Sequence, residues 1–295
     1  MQNISDIKRR IKGIQQTRQI TKAMYLISSV KLRKALNRYE KNATYIDKLR
    51  ATMKDILLHA GDITHPFLQP RPEARTAYII IAGDKGLAGA YNHNVLSTAL
   101  KLVQGTPDHF IFTVGHVATQ FFNRKGHMVD IEFLHTAQDP QMGNARMIAE
   151  SLVDLYRQDL IDRISIVYTH MYSTFHQEPR VLTLLPLDIE NFKDVQTETQ
   201  YSGSMLYEPS LDSVFQSLVE QYVDGLVYAT LVQSYASEQS ARMRAMDSAT
   251  DNANKMIDQL DQEFRRARQA AITNEIIEIV SGTNSVRNTR KKKNA

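Results

Sequence analysis

The chain has 295 residues, 42% hydrophobic and 23% charged, with a formal net charge of +4 and no cysteine. That composition suits one sizeable or two modest folded domains, and it excludes disulfides, thiol catalysis and cysteine-ligated zinc or iron–sulfur centres. No apolar run approaches the ~20 residues of a membrane-spanning helix. The opening Met-Gln-Asn-Ile-Ser-Asp-Ile-Lys has neither the apolar core of a signal peptide nor the composition of a transit peptide, so a cytosolic setting is expected.

Residues 1–60 contain no proline and a single glycine, Gly13. Without breakers the tract can run as one helix, expected over residues 1–58 and roughly 80 Å long at 1.5 Å per residue. A 3-4 spacing begun at Ile4 passes through Ile7, Ile11, Ile14, Arg18, Thr21, Tyr25, Ser28, Leu32, Ala35, Tyr39, Asn42, Ile46, Leu49, Met53 and Ile56. Twelve of these sixteen are apolar, which is the pattern of a coiled-coil seam with a polar interruption between Arg18 and Asn42. The tract holds fourteen Lys/Arg against four Asp/Glu, a balance of +10 that suggests an acidic partner.

His65-Pro66 and Gln69–Pro72 mark a linker, placed at 59–75. The character then changes. Thr76–Ala82, His109–Val114, Met128–Leu134 and Arg163–Thr169 read as short buried strands. Asn94–Val103, His116–Asn123 and Asn144–Asp159 between them have helical spacing. Strands alternating with helices predict a small Rossmann-like parallel-sheet α/β domain over 76–208, with Arg180–Leu187 as an added edge strand and 188–208 as polar loop.

From Ser210 onward there is again no proline, and Gly225 and Gly282 bracket more than fifty residues free of glycine. A second helix is expected over 209–282, roughly 105 Å long. The 3-4 spacing from Phe215 to Ser281 is apolar at fourteen of twenty positions, many of them alanine, so the helices can approach closely. Residues 211–282 carry six basic against eleven acidic side chains, or −5, opposite in sign to the first helix. The fold expected is therefore α/β plus a long antiparallel α-helical coiled coil formed by the N- and C-terminal helices. The second helix is longer by about 15 residues, so roughly 20 Å of it protrudes. The stretch 283–295 with its Arg287–Lys293 run reads as a disordered basic tail.

Chemistry is sparse. Gly83-Asp84-Lys85-Gly86-Leu87-Ala88-Gly89-Ala90 lies between a strand and a helix, where glycines can let amides approach a phosphate. It lacks the terminal Gly-Lys-Ser/Thr of a Walker loop and the spacing of the dinucleotide fingerprint, and it reads as a tight turn. Nine histidines are scattered through 59–176 with no His-x-x-x-His pair, and no Gly-x-Ser-x-Gly elbow is present. No catalytic, cofactor or metal site is expected. On these grounds a coiled-coil scaffold comes first, a nucleic-acid-binding helical protein second and a nucleotide-binding enzyme third.

Longer motifs narrow the choice. Ile7-Lys8-Arg9-Arg10-Ile11, Gln19-Ile20-Thr21-Lys22-Ala23-Met24 and Ser29–Ala35 stand near one end. Ala236–Met243, Ala249–Ala253, Ala267–Glu275 and Ile279–Gly282 stand near the other, with Tyr207-Glu208-Pro209 before the last helix. In order and spacing they resemble the gamma subunit of F-type ATP synthase, the central rotor shaft, over nearly the whole chain.

The resemblance implies a non-catalytic subunit standing inside a ring of three alpha and three beta subunits. Its α/β domain would lie against the epsilon subunit and the membrane c-ring, with no nucleic acid and membrane contact only through the complex. Rotation would favour a different conformation in each beta in turn, a mechanical coupling of binding free energies. The small and aliphatic stretch Ala270 to Val280 suits a surface that must slide in a bearing. By motif position, Lys22, Ala23 and Met24 are expected to meet the acidic lever loop of beta. Arg242, Gln269, Thr273 and Glu275 are expected to make polar contacts with the catalytic ring. The sequence departs from the family's pattern at Gly83, usually Ser or Thr, at Ala88, usually Cys, and in the thirteen residues after Gly282. With no cysteine-bearing redox insertion and no transit peptide, the expectation is a bacterial subunit, peripheral on the cytoplasmic face of the cell membrane.

Overall fold

A computed structural model describes residues 4–59, 65–72, 75–134, 136–188, 192, 208 and 210–293. Most of the polar segment expected at 188–208, Tyr207 and Pro209 of the motif before the last helix, and linker positions 60–64 and 73–74 lie outside the described residues. The elements are α1 (Ile4–His59), β1 (Thr76–Ile81), α2 (Tyr91–Gly105), β2 (His109–Val114), α3 (His116–Arg124), β3 (Ile131–Phe133), α4 (Met142–Arg157), β4 (Arg163–Met171), β5 (Gln177–Leu185) and α5 (Leu211–Lys293). They form two compact units, one of Ile27–Ala245 and one of Met1–Leu26 with Met246–Ala295. The helix halves nearer the sheet thus belong with the sheet, because Ile46, Leu49, Met53 and Ile56 of α1 and Val219–Leu231 of α5 share its core.

In the larger unit the sheet order is β3-β2-β1-β4-β5, with β1 parallel to both β2 and β4 and β5 antiparallel to β4. Alternate residues of β1 feed opposite faces, as the two-residue period of a strand requires. Tyr78, Ile80 and Ala82 meet α2 and α3 through Val95, Ala99, Ala118 and Phe122. Ala77, Ile79 and Ile81 face a larger core with α4 (Ile148, Leu152, Tyr156) and the helix pair. Each such fully buried aliphatic or aromatic side chain contributes about 1.5–3 kcal/mol. Gly115, between β2 and α3, has φ +96° and could not carry a side chain, since a Cβ there would fall 2.2 Å from Ala82 O. This tight crossing lets β1 and the loop after it lie flush against the start of α3.

Several strand and helix limits differ from expectation, three of them for a visible physical reason. β3 is only Ile131–Phe133, because Asp130 turns its carboxylate onto the Ile111 amide at 2.7 Å and so interrupts the ladder before it. β5 starts three residues early, at Gln177; Pro179 reads as a breaker but is tolerated on an edge strand. α5 does not stop at Gly282. It continues to Lys293, so 283–293 is helical rather than the disordered tail its charge suggested. One interior glycine costs only about 1 kcal/mol, and no proline follows to end the helix.

The helix pair is antiparallel in both units. In the larger one, Asn42 Nδ2 donates to Gly225 O at 3.0 Å and the Tyr45 hydroxyl donates to Gln221 Oε1 at 2.9 Å. Leu32 and Ala35 pack there with Val232, Tyr235 and Ala236. In the smaller unit Thr21 and Thr250 share a hydroxyl hydrogen bond of 2.7 Å, Arg18 donates to Asn254 Oδ1, and Lys8 Nζ lies 5.4 Å from the Phe264 ring centre. Every position of the α1 seam is buried or half-buried, and the α5 seam stays so as far as Ala271. Of the four polar members of the interruption, Thr21, Ser28 and Asn42 are buried and Arg18 is half-buried.

Candidate subunit-contact surfaces

In the smaller unit the seam runs out where α1 begins. Beyond Ala271, α5 has no partner helix among the described residues, and every residue from 272 to 283 is exposed. Five of them are large and apolar: Ile272, Ile276, Ile277, Ile279 and Val280 are 45–67% exposed. Contiguous apolar exposure of this kind marks a contact surface. On α1, Ile20 and Leu26 are exposed in the same unit, and Ile27 and Val30 in the larger one. These apolar residues lie off the coiled-coil seam; that is the sequence signal by which they can be found.

Lys22 and Ala23 are exposed and Met24 is half-buried, one helical step around from the Thr21–Thr250 contact. Gln269, Thr273 and Glu275 are exposed on α5. The Thr273 hydroxyl donates to its own helix, at Gln269 O, at 2.9 Å. Thr250 and Gln269 are 19 positions apart on one helix, so the two groups stand roughly 30 Å apart along it. The structure therefore makes two patches of these residues, not one site.

Arg242 has a different setting, in the larger unit. Its side chain is 11% exposed and its guanidinium donates to Glu238 Oε1, one turn earlier on α5, and to Gly86 O at 3.2 Å. Glu238 is 7% exposed. Burial pushes its carboxyl above the ordinary carboxylate range, and the charge and hydrogen bond of Arg242 pull it back. The carboxylate lies over Gly83, where a Cβ would stand 2.9 Å from Oε1. Asn92 Oδ1 accepts the Gly83 amide at 2.9 Å, and Asp84 Oδ1 accepts the His116 amide at 2.9 Å. The loop after β1 is thus tied to α2, α3 and α5 at once. Glu238 was not singled out from sequence; a Glu with Arg four residues later on a helix is its only local mark.

Among the described residues no group of three His, Asp or Glu is placed to hold a metal ion, and no helix is long and apolar enough to cross a membrane.

The ATP synthase family model matches residues 3–286. The ATP synthase gamma chain of Acetivibrio thermocellus is 42% identical, covering 97% of this chain and all of that one. The chain belongs to the ATP synthase gamma chain family. The gamma chain of Caldanaerobacter subterraneus subsp. tengcongensis is 43% identical over 94% of this chain and 98% of its own. The fold resembles a solved chain of the Tetrahymena thermophila mitochondrial ATP synthase central stalk and c-ring. There the TM-score is 0.59 and the identity 23%, with 78% of this gamma chain and 99% of that one aligned. The resemblance read from the motifs at both ends is the family found.

Proposed function

We propose that this chain is the central-stalk rotor subunit of an F-type ATP synthase. It turns within three alpha and three beta subunits and couples ion flow through the membrane sector to ATP synthesis or hydrolysis on beta. It supplies no catalytic group of its own. The observation that carries the reading is the helix pair whose seam closes to Ala271 and whose longer member then runs on with bare isoleucines. A lone chain gains nothing from that exposure; a subunit whose tip sits in a ring of other subunits does. The relatives' names and the central-stalk likeness support the same assembly.

In this reading Lys22, Ala23 and Met24 meet the acidic lever loop of beta, and Gln269, Thr273 and Glu275 face the ring near the tip. Arg242 serves chiefly from within, clamping the loop after β1 to α5. The α/β unit stands toward the epsilon subunit and the c-ring, with the complex peripheral to the cytoplasmic face of a bacterial membrane.

The test is co-expression with cognate alpha and beta subunits, followed by native mass and ATPase rate. One copy per three alpha and three beta is expected, with coupled turnover lost when residues 269–295 are removed. A chain that forms no complex, or to whose presence turnover is indifferent, sinks the rotor reading and returns the basic face of α1 to the nucleic-acid one.

A further inference from the structure

We propose that the cleft between the β1–α2 loop, the β4–β5 turn and α5 binds a small anion bearing a phosphate group, either inorganic phosphate or the phosphate end of a nucleotide. The place comes from topology. In the order β3-β2-β1-β4-β5 the winding reverses between β1 and β4, and open α/β sheets bind ligands outside the carboxyl ends of their strands at such a point. A cavity of about 320 Å³ lies there, with Gly89 and Ala90 after β1, Thr169 on β4, Phe175 and Gln177 around the turn into β5, and Arg244 from α5. That volume is near the lower end of the roughly 300–1,000 Å³ of small-molecule sites, which suits a phosphate and a small attached group but no dinucleotide.

The chemistry comes from what lines it. No lining residue is acidic. Arg244 uses Nη1 to donate to Phe175 O at 2.9 Å, which fixes its guanidinium in the cleft; the group has five donors in all. Thr169 is 4% exposed with its side chain beside the Tyr91 hydroxyl, and the buried Gln177 Nε2 finds no hydrogen-bond partner in the described protein. That unmet buried donor is satisfied by a ligand oxygen. The Tyr91 hydroxyl, kept protonated by burial, is held against the Thr169 and Ser234 side chains and walls the cleft. The fifteen-residue α2 begins at the same wall with no side chain capping it; its first amide donates back to Ala88 O at 3.2 Å, and its positive dipole end favours an anion. A hydroxyl, a carboxamide N–H, a guanidinium and an open helix start, with no carboxylate among them, match a tetrahedral oxyanion.

The site is independent of the rotor reading, and its test needs no partner subunit. The full chain is titrated by calorimetry with inorganic phosphate and, separately, with ADP, against sodium chloride at equal ionic strength. Saturable one-to-one binding is expected. Arg244→Gln should weaken it at least tenfold, or about 1.4 kcal/mol. Thr169→Val, which keeps the side chain's shape, should weaken it several-fold and decides the matter where Arg244→Gln fails to fold. ADP binding more tightly than phosphate assigns the nucleotide, and equal or weaker ADP binding assigns the free ion. Absence of saturable binding to either, or binding unchanged in both variants, overturns the proposal.

Discussion

Glu238 occupies the space that a side chain at Gly83 would need: a Cβ at 83 would stand 2.9 Å from its Oε1 and 3.1 Å from its Cδ. The carboxylate cannot swing clear without leaving Arg242, whose guanidinium also holds Gly86 O. Loop and helix are locked at one pair of oxygens.

Replacing Gly83 by Ser should therefore cost about 1–3 kcal/mol by overpacking, a fall of a few degrees in unfolding temperature. Shortening the acid with Glu238→Asp makes room, so the double variant should recover most of that loss relative to Glu238→Asp alone. Strictly additive effects in thermal unfolding would show that the two positions do not meet.

Asn42 is buried in the seam; its Nδ2 bonds Gly225 O while its Oδ1 has no partner in the described protein. A half-satisfied polar group in a coiled-coil core fixes register at a cost in stability. Asn42→Leu should raise the unfolding temperature by a few degrees, whereas Asn42→Asp, which buries a charge, should lower it. A lower midpoint for the leucine variant would mean that the Gly225 bond outweighs the orphaned oxygen.

Asp162 is 4% exposed and receives Arg75 Nε and Nη2 at 3.0 Å each, with the Arg75 amide at 3.1 Å. The hydrogen bonds from Arg75 hold its carboxyl below the ordinary carboxylate range. A depressed folded value means the carboxylate stabilises the fold fully above the unfolded value near ~3.9 and loses that contribution as pH falls through the folded value. Asp162→Asn should be less stable than the parent at neutral pH, with the gap narrowing below about pH 4. Denaturant midpoints across that range decide it; a gap independent of pH would remove Asp162 from the titration.

The bare isoleucines of α5 separate folding from assembly. Ile276 and Ile279 are 56% and 67% exposed, so Ile276→Ser with Ile279→Ser should change the isolated protein's stability by less than about 0.5 kcal/mol per position. Complex formation with alpha and beta should weaken, read as free chain in native mass spectra. A large loss of intrinsic stability would place the tip inside the chain's own fold.

The helix pair was readable because a coiled-coil seam is a local period, and Ile7, Leu32, Met53, Ile257 and Leu260 kept it through to burial. The parallel strands were readable for the same reason. What was not readable depends on distant residues meeting. Gly83 and Glu238 are 155 positions apart, so nothing near Gly83 signals that a carboxylate will cover it. Arg242 was expected at the catalytic ring by motif position, and no local pattern announces that its guanidinium also bonds Gly86 O, 156 positions away. The start of β5 was hidden by Pro179, whose missing donor matters only where a strand has a neighbour on both sides.

The reversal of β5 has a mechanical consequence. β1 enters the sheet at Thr76 beside Arg163, and β5 leaves it at Leu185 beside Ile164, so the chain joins and departs the sheet at the same end. A torsional load passed between the long helices through the ladder hydrogen bonds thus crosses only β1, β4 and β5 at that end, while the Glu238–Arg242 clamp grips α5 at the other. The sheet is loaded as a bracket fixed at two heights, with β2 and β3 outside the line of force.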